Sequence, residues 1–169
     1  MNVKERADTI GTFRYIEVRL METAAYWVPL TPEMEVKTVL GRHIWDFAQH
    51  ADWLGKRTYE LRQPEQYTRR AVDDYVALLD QLTAESETAK KLSMMYDVIV
   101  PGLIRRYERY LGSTDELLDG PSAVIIERIL TDLSRQCEEA GMMRREIGIA
   151  SVAVEALRDR ETSIATLVA

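Results

Sequence analysis

Cysteine is nearly absent from this chain. Cys137 is the single one in 169 residues, which excludes an internal disulfide, a cysteine-based zinc site and an iron–sulfur cluster. A reducing, cytoplasmic setting is expected. Histidine is almost as scarce: His43 and His50 are the two present, so any imidazole chemistry is confined to them. Eight glycines and five prolines leave long uninterrupted segments, which favour helices over short strands joined by turns. The longest strictly apolar run is about five residues, against the roughly 20 that span a bilayer. The N-terminus also lacks the apolar stretch of a secretory signal, so no membrane association is expected. Basic blocks are missing as well. The net charge is −6, and the pairs Arg69-Arg70, Arg105-Arg106 and Arg144-Arg145 each lie near acids. No nucleic-acid binding is expected from that balance. Gly-x-Gly-x-x-Gly, the P-loop, His-Glu-x-x-His and Gly-x-Ser-x-Gly are all absent, which argues against the common nucleotide-binding folds and serine hydrolases.

What remains is helical periodicity. The length suits one domain, placed at 9–160, with 1–8 and 161–169 read as flexible tails. Asp8 or Thr9 is the expected cap of a first helix ending before Pro29, with Phe13, Leu20, Ala24 and Trp27 on its apolar stripe and Glu17 among them. Thr31 and Pro32 are expected to start a second helix over 32–62. A third is expected from Pro64 to Thr83. A fourth is expected over 87–111, kinked or split by Pro101-Gly102. A loop over 111–120 leads to a helix opened by Pro121 and running to Ala140, and 142–160 reads as helical again. The fold class is all-α, an up-down bundle of four long helices plus one or two shorter ones, with no convincing strand alternation.

The sharpest chemical signal is on the second helix. His43, Asp46 and His50 are spaced three and four residues apart, so one helix puts them on one face. Leu40, Phe47, Ala51 and Leu54 share or border that face, which is therefore core-directed. Imidazole and carboxylate at this spacing suit three roles. They ligate zinc or iron. They form a satisfied buried polar network. Or one imidazole acts as general base with Asp46 or Glu17 orienting it. Carboxylate-bridged di-iron bundles need a Glu-x-x-His from each of two helices, and no histidine follows residue 50. A full di-iron set is thus excluded. A mononuclear site would draw on His43, His50, Asp46 and Glu17, with Glu108 and Glu127 as further carboxylates. No cofactor is expected, the alternative being iron or another divalent metal. Tyr15, Tyr26, Trp27, Trp45, Trp53 and Tyr59 on the first two helices, and Tyr96, Tyr107 and Tyr110 on the fourth, read as core, or as the lining of an apolar cavity with polar tips. Cys137 reads as a small buried apolar group. Arg105-Arg-Tyr-Glu-Arg109 reads as a solvated ion-pair ladder, with anion binding as the alternative.

Three stretches carry a resemblance. These are 32–37 followed by Leu40-Gly-Arg-His-Ile-Trp-Asp-Phe-Ala-Gln-His-Ala-Asp52, then Tyr96-Asp-Val-Ile-Val-Pro-Gly-Leu-Ile-Arg-Arg-Tyr-Glu108, and Asp119-Gly-Pro-Ser-Ala-Val-Ile-Ile126. Over about 14–140 the chain resembles uncharacterised bacterial ferritin-like domain proteins. The resemblance implies a bundle with a carboxylate/histidine centre and carries no settled activity. Gln49 stands where such sequences tend to have Glu, and Gln is a poor ligand. The function expected is action on a small organic substrate in specialised metabolism, by acid/base chemistry or at a degenerate metal site. A homo- or hetero-oligomer is expected. The alternative function is a non-catalytic partner subunit of a heteromeric enzyme or another protein-interaction module. In that case Ile147, Ile149, Val152, Val154 and Leu157 would form the partner surface.

Overall fold

Asn2 starts the first helix six residues ahead of the expected cap. Its side chain accepts from the Glu5 N–H, while Glu5 accepts from the Asn2 N–H, a reciprocal capping box. The computed structural model describes residues 1–168, apart from the side chain of Glu116. Helix α1 spans Val3–Trp27 and α2 spans Met34–Glu60. Thr31 does not cap α2; its hydroxyl donates to the Trp27 carbonyl and closes α1 instead.

The segment 61–72 is a loop, where a helix was expected from Pro64. Arg62 and Gln66 adopt positive φ, which a helix does not allow. The loop lies across α1 and α2 at two glycines. A Cβ on Gly11 would meet the Tyr67 ring at 2.9 Å, and one on Gly55 would meet the Gln66 amide at 2.2 Å. Arg69 N–H donates to the Gly11 carbonyl, Tyr67 Oη donates to Asp8, and Arg14 donates to Gln66 and Thr68. Helix α3 follows at Asp73–Ala84.

Helix α4, Thr88–Met94, runs into α5, Val100–Ser113, without breaking. Pro101 has no N–H and crowds the carbonyl four residues back. The chain absorbs this in a π-helical turn at Met95–Ile99, where Val100 N–H reaches the Met95 carbonyl. The expected kink is therefore a one-residue bulge.

Helix α6 spans Glu116–Glu146, with one non-helical residue, Asp119 at φ −141°. It continues through Gly141 and stops at Gly148. There φ is +71° and Ile149 N–H returns to the Arg144 carbonyl, a Schellman ending that favours glycine. Helix α7 is short, Glu155–Ser163. The segments expected as tails carry structure: 3–8 belong to α1, Glu161 and Leu167 are buried, and Val72 N–H donates to the Leu167 carbonyl.

The described residues thus form an all-α bundle with no strand. The strict up-down order expected is not kept: the start of α1 at Arg6, the end of α2 at Arg57, the end of α5 at Tyr110 and the start of α6 all meet at Asp119, so α1 and α6 run one way and α2 and α4–α5 the other, with 61–72 and α3 as the crossover. Trp27, Phe47, Tyr75, Tyr107, Ile16 and Leu20 are fully buried between them. No helix is long and apolar enough to cross a membrane.

One end of the bundle is fastened by charge. Asp119 is fully buried and accepts from Arg57, Tyr110, Ser122 and Thr114. Burial alone would raise its pKa, but these donors outweigh it and hold the carboxyl below its usual value. The non-helical φ at Asp119 turns its carboxylate to this set. Replacing Asp119 with Asn removes the counter-charge of a buried guanidinium, and we expect a loss of about 3 kcal/mol in urea unfolding followed by circular dichroism.

Candidate functional site

The row on α2 meets a complementary row on α6. The two helices run antiparallel, and both are registered in sevens: His43 faces Glu139, and His50 faces Asp132. Between these rungs Asp46 accepts from Gln136 and Arg135. Glu17 of α1 and Tyr96 and Tyr107 of the α4–α5 helix close the row from behind.

Each imidazole is bonded at both nitrogens. His43 Nδ1 lies 2.6 Å from Tyr96 Oη, and Nε2 lies 3.2 Å from Glu139 Oε2. Burial lowers the His43 pKa more than Glu139 and Asp46 raise it, so the ring is neutral at neutral pH. Burial also raises the Tyr96 pKa. The polarity follows: the Tyr96 hydroxyl donates to Nδ1, and Nε2–H donates to the Glu139 carboxylate.

His50 differs. Nδ1 is 3.1 Å from Glu17 and Nε2 is 3.3 Å from Asp132, so both neighbours are carboxylates. Burial opposes its charged form, but Glu17 and Asp132 together outweigh that and raise its pKa. Both ring N–H groups donate. Tyr107 donates to the other Glu17 oxygen at 2.8 Å.

Arg135 spans the outer edge of the row. It donates to Asp132, Asp46 and Glu139 at 2.9–3.1 Å. Burial by itself raises the pKa of Asp132 and of Glu139, and Arg135 with the facing histidine more than reverses it, so both stay ionised. His43, His50 and Glu17 have no exposed side-chain surface, whereas Asp132, Arg135 and Glu139 are partly exposed. The centre is thus a sealed polar layer with a charged rim.

Of the residues proposed from sequence, Glu17, His43 and His50 come together. Asp46 shares their face but bonds to Arg135 and Gln136, not to a histidine. Glu108 and Glu127 are exposed and outside the row, because their helix positions face solvent. Sequence reasoning missed Asp132, Arg135, Gln136 and Glu139 as site residues, and offered Tyr96 and Tyr107 as core or cavity lining rather than as partners of the row. A seven-residue Asp132/Glu139 repeat matching His43/His50 was the available signal. The aromatics do not line a cavity: Trp27 is core, while Tyr26, Trp45 and Tyr59 are exposed. Trp53 lies half-buried with Arg128 4.0 Å from its ring. Cys137 is half-buried and its thiol is pushed up to about 11 by burial.

A divalent metal does not fit this arrangement. Among the described residues no three His, Cys, Asp or Glu side chains converge to hold one. Each imidazole lone pair or proton is already engaged by protein, and the Arg135 guanidinium occupies the place among the rim carboxylates where a cation would go. An open groove of about 480 Å³ adjoins the rim, lined by Val39, Met142 and Met143 together with Glu35, Arg42, Glu139 and Glu146.

No family model matches the chain, and neither a curated protein nor a solved structure is significantly similar to it.

Because the folded pKa of His50 is raised, its stabilising charge is fully present below the ordinary value of about 6.5 and is lost as pH rises through the raised one. We expect the stability gap between the native chain and His50→Gln to be larger at about pH 6 than at about pH 9 in thermal unfolding. Tyr107→Phe leaves a buried Glu17 oxygen without its donor and should cost about 1–3 kcal/mol at either pH.

Proposed function

We propose that this chain is a non-catalytic partner protein built on a ferritin-like bundle, whose histidine row holds helices rather than turning over substrate. The carrying observation is the saturation of both imidazoles: each ring nitrogen has a protein partner, and neither ring has exposed surface. A general base needs a free lone pair within reach of a substrate proton. His50 has none while charged, and the His43 lone pair is filled by Tyr96.

The binding surface that fits this reading is the α2/α6 groove. Met34, Thr38, Arg42 and Trp45 fall on one stripe of α2 by helical spacing. Thr38 and Arg42 line the groove together with Met142 of α6, which is 55% exposed, and Met34 and Trp45, two-thirds exposed, continue the stripe beyond it. Three carboxylates, Glu35, Glu139 and Glu146, outnumber Arg42 along the groove. An amphipathic helix with apolar anchors and a basic flank suits it in shape and charge. The C-terminal segment is not that surface. Val154 and Leu157 are buried, and Ile147 and Ile149 pack on the core of the chain itself.

One observation favours the other reading, acid/base action on a small organic substrate. Glu139 both lines the groove and bonds to His43, so a carboxylate at the surface is backed by a short relay to Tyr96. Its pKa is lowered, which makes it a weak base.

The two readings separate with designed probes. A Leu/Lys amphipathic helical peptide should bind the native chain and shift Trp fluorescence. Binding should fall about tenfold in Met142→Asp, since an unpaired charge would face the apolar anchors. The matching Leu/Glu peptide should not bind. No binding of the basic peptide would overturn the docking reading. A co-purifying divalent metal at one per chain, lost in His50→Gln, would overturn the structural role of the row.

A further inference from the structure

A second charged centre lies apart from the histidine row, where α7 meets α5. Glu161 of α7 is 1% exposed. Its carboxylate accepts from Arg105 at 2.8 Å on one oxygen, and from Arg106 Nε and Nη2 at 3.1 and 2.9 Å on the other. Arg106 also donates to the carbonyls of Glu161 and Ile164, and Arg109 donates to that of Ala165 at 3.4 Å. Gly102 makes the close approach possible: a Cβ there would lie 2.3 Å from Glu161 Oε1. The sequence offers this arginine stretch as an ion-pair ladder or an anion site. The fold makes it a fork that already holds a carboxylate.

Two features take it further. The cleft beside Glu161, about 80 Å³, is lined by three guanidinium groups and a single carboxylate. That is surplus positive charge in a chain of net charge −6. The surplus is also reachable. Arg105 is half-exposed and Arg109 is exposed with one long bond to a carbonyl, whereas Arg106 is buried under the clamp. The segment that carries Glu161 hangs from α6 through 147–154, which starts at the positive φ of Gly148.

We propose that Arg105, Arg106 and Arg109 form a binding site for a small doubly charged oxyanion, with Glu161 as its built-in competitor. Phosphate and a short dicarboxylate share the required chemistry: two or more oxygens that take forked N–H donors, and a charge that matches the surplus. The anion lands first on Arg105 and Arg109 at the open side. It then takes the Arg106 donors from Glu161, which releases the latch on α7. The C-terminal segment thereby responds to the anion, and the site is independent of the histidine row and of the α2/α6 groove.

The test is calorimetric titration of the full chain with inorganic phosphate, with malonate, and with chloride at matched ionic strength. Glu161→Gln should bind phosphate or malonate about tenfold more tightly than the native chain, because a tethered competitor has been weakened. Whichever of the two gains more identifies the source of the oxyanion. Arg105→Ala/Arg109→Ala should abolish binding in both backgrounds. Equal affinities for the native chain and Glu161→Gln would overturn the proposal, as would binding that survives loss of the two arginines, or no binding of either anion. Limited proteolysis of the native chain covers the case where Glu161→Gln does not fold. The anion should speed cleavage within 155–168 beyond chloride, and unchanged or slowed cleavage would overturn displacement.

Discussion

The bundle depends on the pairing of ionisable groups that its packing takes out of water. Imidazoles at His43 and His50 and a carboxylate at Glu17 sit where no solvent reaches. An unpaired group there would cost more than a typical contact returns. The fold meets this by drawing partners from every neighbouring helix: Glu17 from α1, Tyr96 and Tyr107 from the α4–α5 helix, Asp132 and Glu139 from α6. The rungs repeat every seven residues on both α2 and α6. A one-turn slip between those helices would strand every rung at once, while an apolar seam would tolerate it. The polar row therefore fixes register, whereas the surrounding apolar residues supply most of the driving force.

The same saturation bears on function. The two histidines share a helix face yet are pushed opposite ways, His50 toward its charged form by two carboxylates and His43 toward its neutral form by burial. Such divergence is common where catalysis is tuned, but here both states are consumed by protein partners. What stays open to the outside is the charged rim and the groove beside it. The proposed partner role rests on this arrangement, in which the chemistry-bearing residues are turned inward as fasteners.

One end of the bundle and the flank of α5 repeat the device with arginine. Arg57 and Asp119 pin the turn between α5 and α6, and Arg105 and Arg106 pin α7 through Glu161. Each carboxylate stands at a backbone irregularity or a glycine contact: the non-helical Asp119 itself, and Gly102 beneath Glu161. At these two centres the backbone thus lets a buried carboxylate come close to its partners. The centres differ in access, since Asp119 is sealed and the Arg105 side of the Glu161 clamp is open.

Much of this was legible in the sequence. Low glycine and proline content and the three-to-four spacing of apolar residues determined the all-helical class, because a helix repeats every 3.6 residues whatever surrounds it. The inward facing of His43, Asp46 and His50 followed from the same spacing, with Glu17 as a companion on the first helix. Helix ends were less legible, since Thr31, Pro64 and Gly141 each carry a local signal that packing overrode. Partner identity was barely legible: the seven-residue spacing of Asp132 and Glu139 was its one trace, and nothing in their immediate neighbourhood marks them off from Glu108 and Glu127, which face water. That choice depends on how α6 is rotated and registered against α2, a property of side chains dozens of residues apart. The sequence alone thus determined that a polar row points inward. Only the tertiary structure decided what meets it, because pairing across a bundle is set by the relative placement of whole helices.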